Sequence, residues 1–358
     1  DWLTTGPMVG RFEEAFAGAV GVRHAVAFSS GTAALHGAMY AAGIGPGDEV
    51  IVPPMTFAAS ANCVVFQGGT PIFADVDPGA LLIDPGRAAE RIGPKTKALI
   101  AVDYAGQPCD YGTLQGMAKE RDLVLVADAC HALGAARNGR FAGSLADMTV
   151  FSFHPVKHIT TGEGGMVTTD SRDFAERLRR FRNHGIDTDH RQREEKGQWF
   201  YEMVDLGYNY RITDFQCALG LSQLMKLQAW IGRRQAIAAR YDRALAAIPG
   251  VRPLAVRPGI SHAYHLYVVR IDAAIGRDRV FQALRTLGIM ANVHYIPVHL
   301  HPFYRRRFGT GPGLCPVAEE AYGEILSLPM FPALSDGDVD CVLQALEEVA
   351  RGRVQSDD

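Results

Sequence analysis

Two apolar periods alternate along the first two-thirds of the chain. Short, nearly continuous apolar or β-branched runs at 24–28, 49–52, 71–74, 98–102, 123–127, 148–153 and 165–169 predict strands. Between them, segments with helical spacing at 31–42, 57–66, 114–121 and 173–182 predict helices. A run as apolar as 123–127 suits a strand covered on both faces, so the alternation predicts a mostly parallel sheet between helical layers. Such sheets collect ligands at the carboxyl ends of their strands. From Thr213 a long helical pattern reaches about residue 247, and Pro249-Gly250 stops it. A strand at 265–271, a helix at 279–287, a strand at 290–295 and helices at 317–325 and 339–349 follow. The expected fold class is α/β, with a large domain over residues 1–232 and a smaller C-terminal α+β domain over 233–358. The charged segment 187–198 lacks apolar periodicity and predicts an exposed loop.

Charge removes two classes of partner. With 36 basic and 39 acidic residues among 358, the formal charge is only −3, and no polybasic run stands out. Nucleic acid or an anionic membrane bound through bulk charge is therefore not expected. No apolar run approaches the roughly 18 residues that would span a bilayer. The six cysteines (Cys63, Cys109, Cys130, Cys217, Cys315, Cys341) are scattered without a C-x-x-C pair, as in a cytoplasmic protein with reduced thiols. The chain opens on Asp1-Trp2-Leu3-Thr4-Thr5-Gly6-Pro7, which reads as the interior of a longer protein; an N-terminal stretch is expected ahead of it.

Three stretches carry chemistry. Ser29-Ser30-Gly31-Thr32 joins a strand to a small-residue helix, where free N–H groups and the helix dipole favour an anion; a plain N-cap reads the same way. Asp128 ends the apolar run 124–127, followed by Cys130 and His131; it is either a capping or ion-paired acid, or a carboxylate that holds a ligand cation. Lys157 follows another apolar strand among Ser, Thr and Gly, as a solvated side chain or as a semi-buried amine able to form a Schiff base. No G-x-G-x-x-G or Walker pattern occurs, so a dinucleotide site or P-loop is poorly supported. Taken together, the anion cradle, acid and amine supply what pyridoxal 5′-phosphate requires: donors for the phosphate, a carboxylate for the ring nitrogen and an amine for the aldehyde.

The stretches S-S-G-T-A-A-L, A-D-A-C-H-A, F-S-F-H-P-V-K-x-x-T-T-G-E-G-G and L-G-Y-N-Y-R-I-T-D-F-Q-C-A-L-G resemble the DegT-type nucleotide-sugar aminotransferases, and the likeness covers essentially the whole chain. It implies a fold-type I pyridoxal phosphate enzyme working as a homodimer. The segments 102–106 and 293–298 look most like the members of pseudaminic acid synthesis, which convert a UDP-linked 4-keto-6-deoxy-N-acetyl sugar to the 4-amino sugar. The resemblance implies covalent attachment of the cofactor at Lys157, which then moves protons. It places Asp128 on the pyridinium nitrogen, His131 near the phenolic oxygen and Phe57 on the ring face. Ser30, Gly31, Thr32 and Ser152 form the phosphate cradle, and Asn209 reaches the partner subunit's phosphate. For the keto sugar it implies Leu3, Thr4, Gly31, Asn292, Val293, His294 and Tyr295, with glutamate as amino donor. His184, His299 and His301 are expected to be structural, with no metal site. The readings set beside it are an aminotransferase for another dTDP- or GDP-linked keto sugar, a non-catalytic pyridoxal phosphate-binding regulator, and an NAD-linked sugar dehydratase.

Overall fold

The computed structural model describes residues 3–188, 197 and 199–352. The loop expected over 187–198 lies largely outside them, as do Asp1 and Trp2.

After helix α1 (Pro7–Val20), strands and helices alternate: β1 (His24–Phe28), α2 (Gly31–Ala41), β2 (Glu49–Val52), α3 (Ala59–Phe66), β3 (Thr70–Phe73), α4 (Pro85–Arg91), β4 (Thr96–Val102), α5 (Tyr111–Glu120) and β5 (Val124–Asp128). A small hairpin, β6 (Ala136–Arg137) and β7 (Arg140–Phe141), precedes β8 (Met148–Ser152), β9 (Gly165–Thr169) and α6 (Arg172–Phe181). Seven strands form one sheet in the order β1-β9-β8-β5-β4-β2-β3. Its neighbours are parallel except at β9, which runs antiparallel to both β8 and β1. The strand ends at Phe28, Val52, Val102, Asp128 and Ser152 therefore share one edge, and Gly165 opens β9 beside them.

Both faces of the sheet are buried, with alternate residues going to different cores. On β1, Val26 and Phe28 join the cluster around Leu35, Met39 and Leu178, while Ala25 and Ala27 join Phe12, Phe16 and Phe153 on the other side. The same alternation recurs at Val150 and Phe151, and at Val167 and Met166.

The remaining chain forms α7 (Asp214–Leu224), α8 (Leu227–Leu245), β10 (Val251–Pro253), β11 (Ile260–Ser261), β12 (Tyr267–Ile271), α9 (Arg277–Thr286), α10 (Pro302–Phe308), α11 (Pro316–Glu324), β13 (Ile325–Leu328) and α12 (Asp336–Ala350). An antiparallel sheet, β10-β12-β13, buries Tyr241, Val269, Val280 and Leu346 in a core of its own. Two expectations are corrected here. The pattern from 213 to 247 is two helices, not one, parted between Leu224 and Leu227; the change of core comes later, inside α8, whose Leu227 and Ile231 stay with Phe12 and Cys217 while Ile237 and Tyr241 lie in the second body. Segment 290–295 is not a strand. It makes a single bridge, Asn292 to Ser327, and then leaves for the first body, where the Val298 N–H donates to the Pro54 carbonyl at 2.9 Å.

The junction of β1, β8, β9 and α2 leaves no room for a side chain. A Cβ on Gly165 would lie 2.4 Å from the Ser30 carbonyl oxygen and 2.8 Å from the Gly31 nitrogen, both backbone atoms that cannot yield cheaply. Gly165→Ala is expected to destabilise the fold by about 1–3 kcal/mol in urea titration. Gly18→Ala, in open space on α1, should instead stabilise by about 0.5–1 kcal/mol. Equal effects of the two changes would contradict the packing described.

Candidate active site

The shared strand edge assembles the residues that the sequence singles out. Ser30, extended at the N-cap of α2, accepts a hydrogen bond from the Ala33 N–H at 3.0 Å through its side chain. The cap leaves the Gly31 and Thr32 N–H groups ahead of the first intrahelical bond, pointing out of the helix start. A Cβ on Gly31 would lie 2.9 Å from the Ser152 Cβ, so glycine keeps the helix start against the end of β8. Ser152 is half-buried there, while Thr32 is exposed.

Asp128 is buried at the end of β5. One carboxylate oxygen accepts from the Ser60 hydroxyl at 2.6 Å, and Ser60 in turn lies 2.6 Å from the Thr56 hydroxyl. The other oxygen accepts from the Cys130 N–H at 3.2 Å. A carboxylate with two hydrogen bonds still offers lone pairs to a cation. Ser60 was not singled out in the sequence; its only signal is a hydroxyl in an otherwise apolar helix start.

Lys157 is half-buried in the loop between β8 and β9. Burial lowers its amine from the ordinary lysine range, with Cys130 and Asp128 acting in the opposite direction. Its Nζ lies 3.5 Å from Nε2 of His265, which the sequence pattern marks only as the start of a strand. The signal was present as H-A-Y-H at 262–265, immediately before a strand. His131 is buried, with its ring centroid 4.4 Å from that of His265 and its Nε2 3.1 Å from the Tyr295 hydroxyl. Burial drives His131, His158 and His265 well below ordinary histidine values, so all three are neutral.

Tyr295 also faces Phe57, with centroids 6.0 Å apart; Phe57 itself is 60% exposed on the open side. His294 contacts Ser327 through Nδ1 at 2.9 Å, and its carbonyl accepts from the Tyr104 hydroxyl. Asn292 is exposed and Val293 half-buried on the same strap. The remaining sequence-predicted residues sit elsewhere. Leu3 is exposed, its carbonyl accepting from the Asp214 N–H, and Thr4 pairs with Thr213 at the start of α7. That helix touches the lysine loop through Gln216, whose side-chain amide donates to the Glu163 carbonyl at 2.9 Å. Asn209 is exposed and bridges to Asn183. Its neighbour Tyr210 accepts the Ser29 N–H, beside the cradle. His299 is buried against Glu319 at 2.9 Å, and His184 is exposed.

A seven-stranded, mostly parallel sheet that presents a lysine, a buried acid and a helix N-terminus on one edge defines a cofactor-dependent α/β enzyme. The sequence pattern of the "DegT/DnrJ/EryC1/StrS aminotransferase family" matches residues 1–347, and the chain belongs to that family. It is 42% identical to the spore coat polysaccharide biosynthesis protein SpsC of Bacillus subtilis over 98% of this chain and 92% of that protein. Among solved structures it is similar to the putative sugar aminotransferase Spr1654 of Streptococcus pneumoniae in its PMP-form, with TM-score 0.92, 32% identity, and 99% and 94% of the two chains covered. It is also similar to Helicobacter pylori PseC, an aminotransferase involved in the biosynthesis of pseudoaminic acid, with TM-score 0.91, 32% identity, and 98% and 93% covered.

The buried neutral histidines fix how stability follows pH. Burial lowers His36 and His294 to about 4 and His262 to about 3, from an ordinary 6.5. Below 6.5 the unfolded chain takes up protons at these three and at His131, His158 and His265 that the folded chain refuses, so stability is lost on acidification. Asp103 opposes this: burial raises it to about 7 from 3.8, so between these values the folded state holds a proton that the unfolded state releases. With His299, which burial also lowers, seven groups against one leave a net loss of stability toward acid, each fully linked group contributing about 1.4 kcal/mol per pH unit. Urea midpoints are expected to fall between about pH 7 and about pH 5; a flat or rising profile contradicts the buried-neutral assignment.

Proposed function

We propose that the protein transfers an amino group from glutamate to the C4 keto group of a UDP-linked 4-keto-6-deoxy-N-acetyl hexose, with pyridoxal 5′-phosphate held covalently by Lys157. The observation that carries this reading is the convergence of Lys157, Asp128 and the start of α2 on one sheet edge. The residues there suit the cofactor. Asp128 keeps lone pairs free for a ring N–H, Gly31 leaves open a space that a Cβ would fill beside Ser152, and the buried His131 Nδ1 has no protein partner among the described residues.

When bound, the cofactor supplies an electron sink for the negative charge on the carbon that loses its proton. The chain supplies the rest. Asp128 holds the ring nitrogen in its protonated form, and Ser60 with the Cys130 N–H fixes the carboxylate's direction. Gly31, Thr32, Ser30 and Ser152 offer the phosphate uncommitted N–H and hydroxyl donors at a helix N-terminus. Lys157, with its amine free, would take the proton from the substrate carbon and return it across the site, and its lowered basicity suits it to do so. His131 holds the Tyr295 hydroxyl over the site, and Phe57 with Tyr295 walls one side of it.

The finer substrate assignment is supported by the 102–106 and 293–298 segments and by the likeness to PseC. A cytoplasmic homodimer with shared active sites completes the proposal. No helix among the described residues is long and apolar enough to cross a membrane. Trp199, Met203, Leu206, Phe215 and Met225 are 85%, 67%, 68%, 64% and 82% exposed in the single chain, an apolar surface suited to burial by a second copy. Asn209 lies within the same stretch and is proposed to reach the partner's phosphate, and Leu3, Thr4, Asn292, Val293 and His294 to meet the sugar nucleotide.

Borohydride reduction of the loaded protein, followed by peptide mapping, is expected to leave the pyridoxyl label on Lys157. Lys157→Ala should lose the visible absorbance of the attached cofactor and at least about 10²-fold in kcat. A label on another lysine overturns the assignment. In a panel of UDP-, dTDP- and GDP-linked keto sugars with glutamate, product mass should report amination of the UDP-4-keto-6-deoxy-N-acetyl sugar; preference for a dTDP- or GDP-sugar refutes that substrate while leaving the chemistry intact.

A further inference from the structure

His265 reaches Lys157 from a distant part of the chain, and the fold holds it there firmly. The turn 262–265 is riveted to the end of β4: the Ala263 N–H donates to the Gly106 carbonyl at 2.9 Å and the Leu266 N–H to the Ala105 carbonyl at 3.2 Å. A Cβ on Gly106, where φ is +110°, would lie 2.9 Å from the Tyr264 nitrogen and 3.1 Å from the His265 nitrogen, so only glycine permits the approach. From the other side buried Arg234 donates to the carbonyls of Tyr264 at 2.9 Å, Met330 at 2.9 Å and His265 at 3.4 Å. Two separate segments, 105–106 and Arg234 of α8, thus fix the backbone of one histidine beside one lysine.

We propose that His265 is a positioning residue for Lys157, its Nε2 accepting a hydrogen bond from the lysine Nζ and holding that amine toward the shared strand edge. The inference rests on the reading of Lys157 as the cofactor lysine. The 3.5 Å separation is long for a closed hydrogen bond and suits a contact that tightens when the amine carries a proton. As Nζ takes a proton from the substrate carbon, the C–H bond breaks, its electron pair stays on the carbon side and a third N–H forms on Nζ. The lone pair on Nε2 accepts one of those N–H groups without taking the proton, which the ammonium then hands back to carbon on the other side.

Such a role requires an uncharged imidazole. The groups facing the ring are Lys157, His131 with centroid 4.4 Å away, His158 at 5.5 Å, and Arg234 on the backbone carbonyl. Burial first, and then these neighbours, keep the ring neutral. The amine is faced in addition by Asp128 and Cys130, the groups that favour its charged form. With Nε2 as acceptor the ring proton sits on Nδ1, which is buried and has no partner among the described residues. An unpaired buried N–H persists only where the surroundings over-determine it, as the turn's anchors do here.

Competitive acylation of Lys157 in cofactor-free protein, read by peptide mapping across pH, reports the amine's own titration. In His265→Leu the labelling midpoint should fall by about one pH unit, because the charged amine loses its acceptor. His265→Gln, whose amide oxygen can accept, should return the midpoint to within about 0.3 unit of wild type. In loaded enzyme the leucine variant should lose about tenfold in kcat with KM for glutamate changed less than about twofold. Midpoints identical in all three proteins overturn the proposal even when borohydride still marks Lys157, which separates its failure from that of the cofactor assignment. Should neither His265 variant fold, nitrogen-15 NMR of labelled histidines decides: Lys157→Met should move one imidazole Nε2 resonance of the acceptor type, and an unchanged histidine spectrum overturns the inference.

Discussion

A carboxylate at the buried end of a central strand must be met by donors, and that constraint organises this protein's functional edge. Asp128 closes β5, in register with Val102 on one side and Val150 on the other. Water reaches it poorly there, so its charge has to be satisfied by the fold or by a ligand. The fold supplies two hydrogen bonds, from Ser60 and from the Cys130 N–H. In the proposed reading the ring nitrogen of the cofactor supplies the third partner, and the rest of the site follows from placing that ring. In that reading its phosphate would fall toward α2 and its aldehyde toward Lys157.

The sheet topology makes this arrangement economical. Parallel strands bring chain positions 28, 102, 128 and 152 to one edge without long loops, and the single antiparallel strand β9 turns the lysine loop back onto that edge. Glycine appears where two backbones nearly touch: Gly31 against Ser152, and Gly165 against Ser30. The neutral histidines around Lys157 belong to the same logic. They surround an amine whose basicity burial has lowered, and add no positive charge that would compete with a bound cation.

Lys157, Asp128 and the Ser30–Thr32 turn were legible in the sequence because each lies within a few residues of a strand end and carries its own local signature. Ser60 and His265 were not, since their roles arise from contacts across 68 and 108 residues that no local pattern encodes. The 290–295 segment misled for a related reason. Its alternating side chains fit a strand, yet its backbone pairs with β13 at Asn292 alone, and Val298 just beyond it bonds to Pro54, because the chain here bridges the two bodies. Likewise helical periodicity registers neither the break between α7 and α8 nor the change of core inside α8, between Ile231 and Ile237.

The pairing of Asp128 with the ring nitrogen is tested most directly by nitrogen-15 NMR of protein loaded with ring-labelled pyridoxal phosphate. A protonated pyridine nitrogen is expected in the wild-type protein and an unprotonated one in Asp128→Ala at the same pH. A ring nitrogen whose protonation state is the same in both proteins would contradict it.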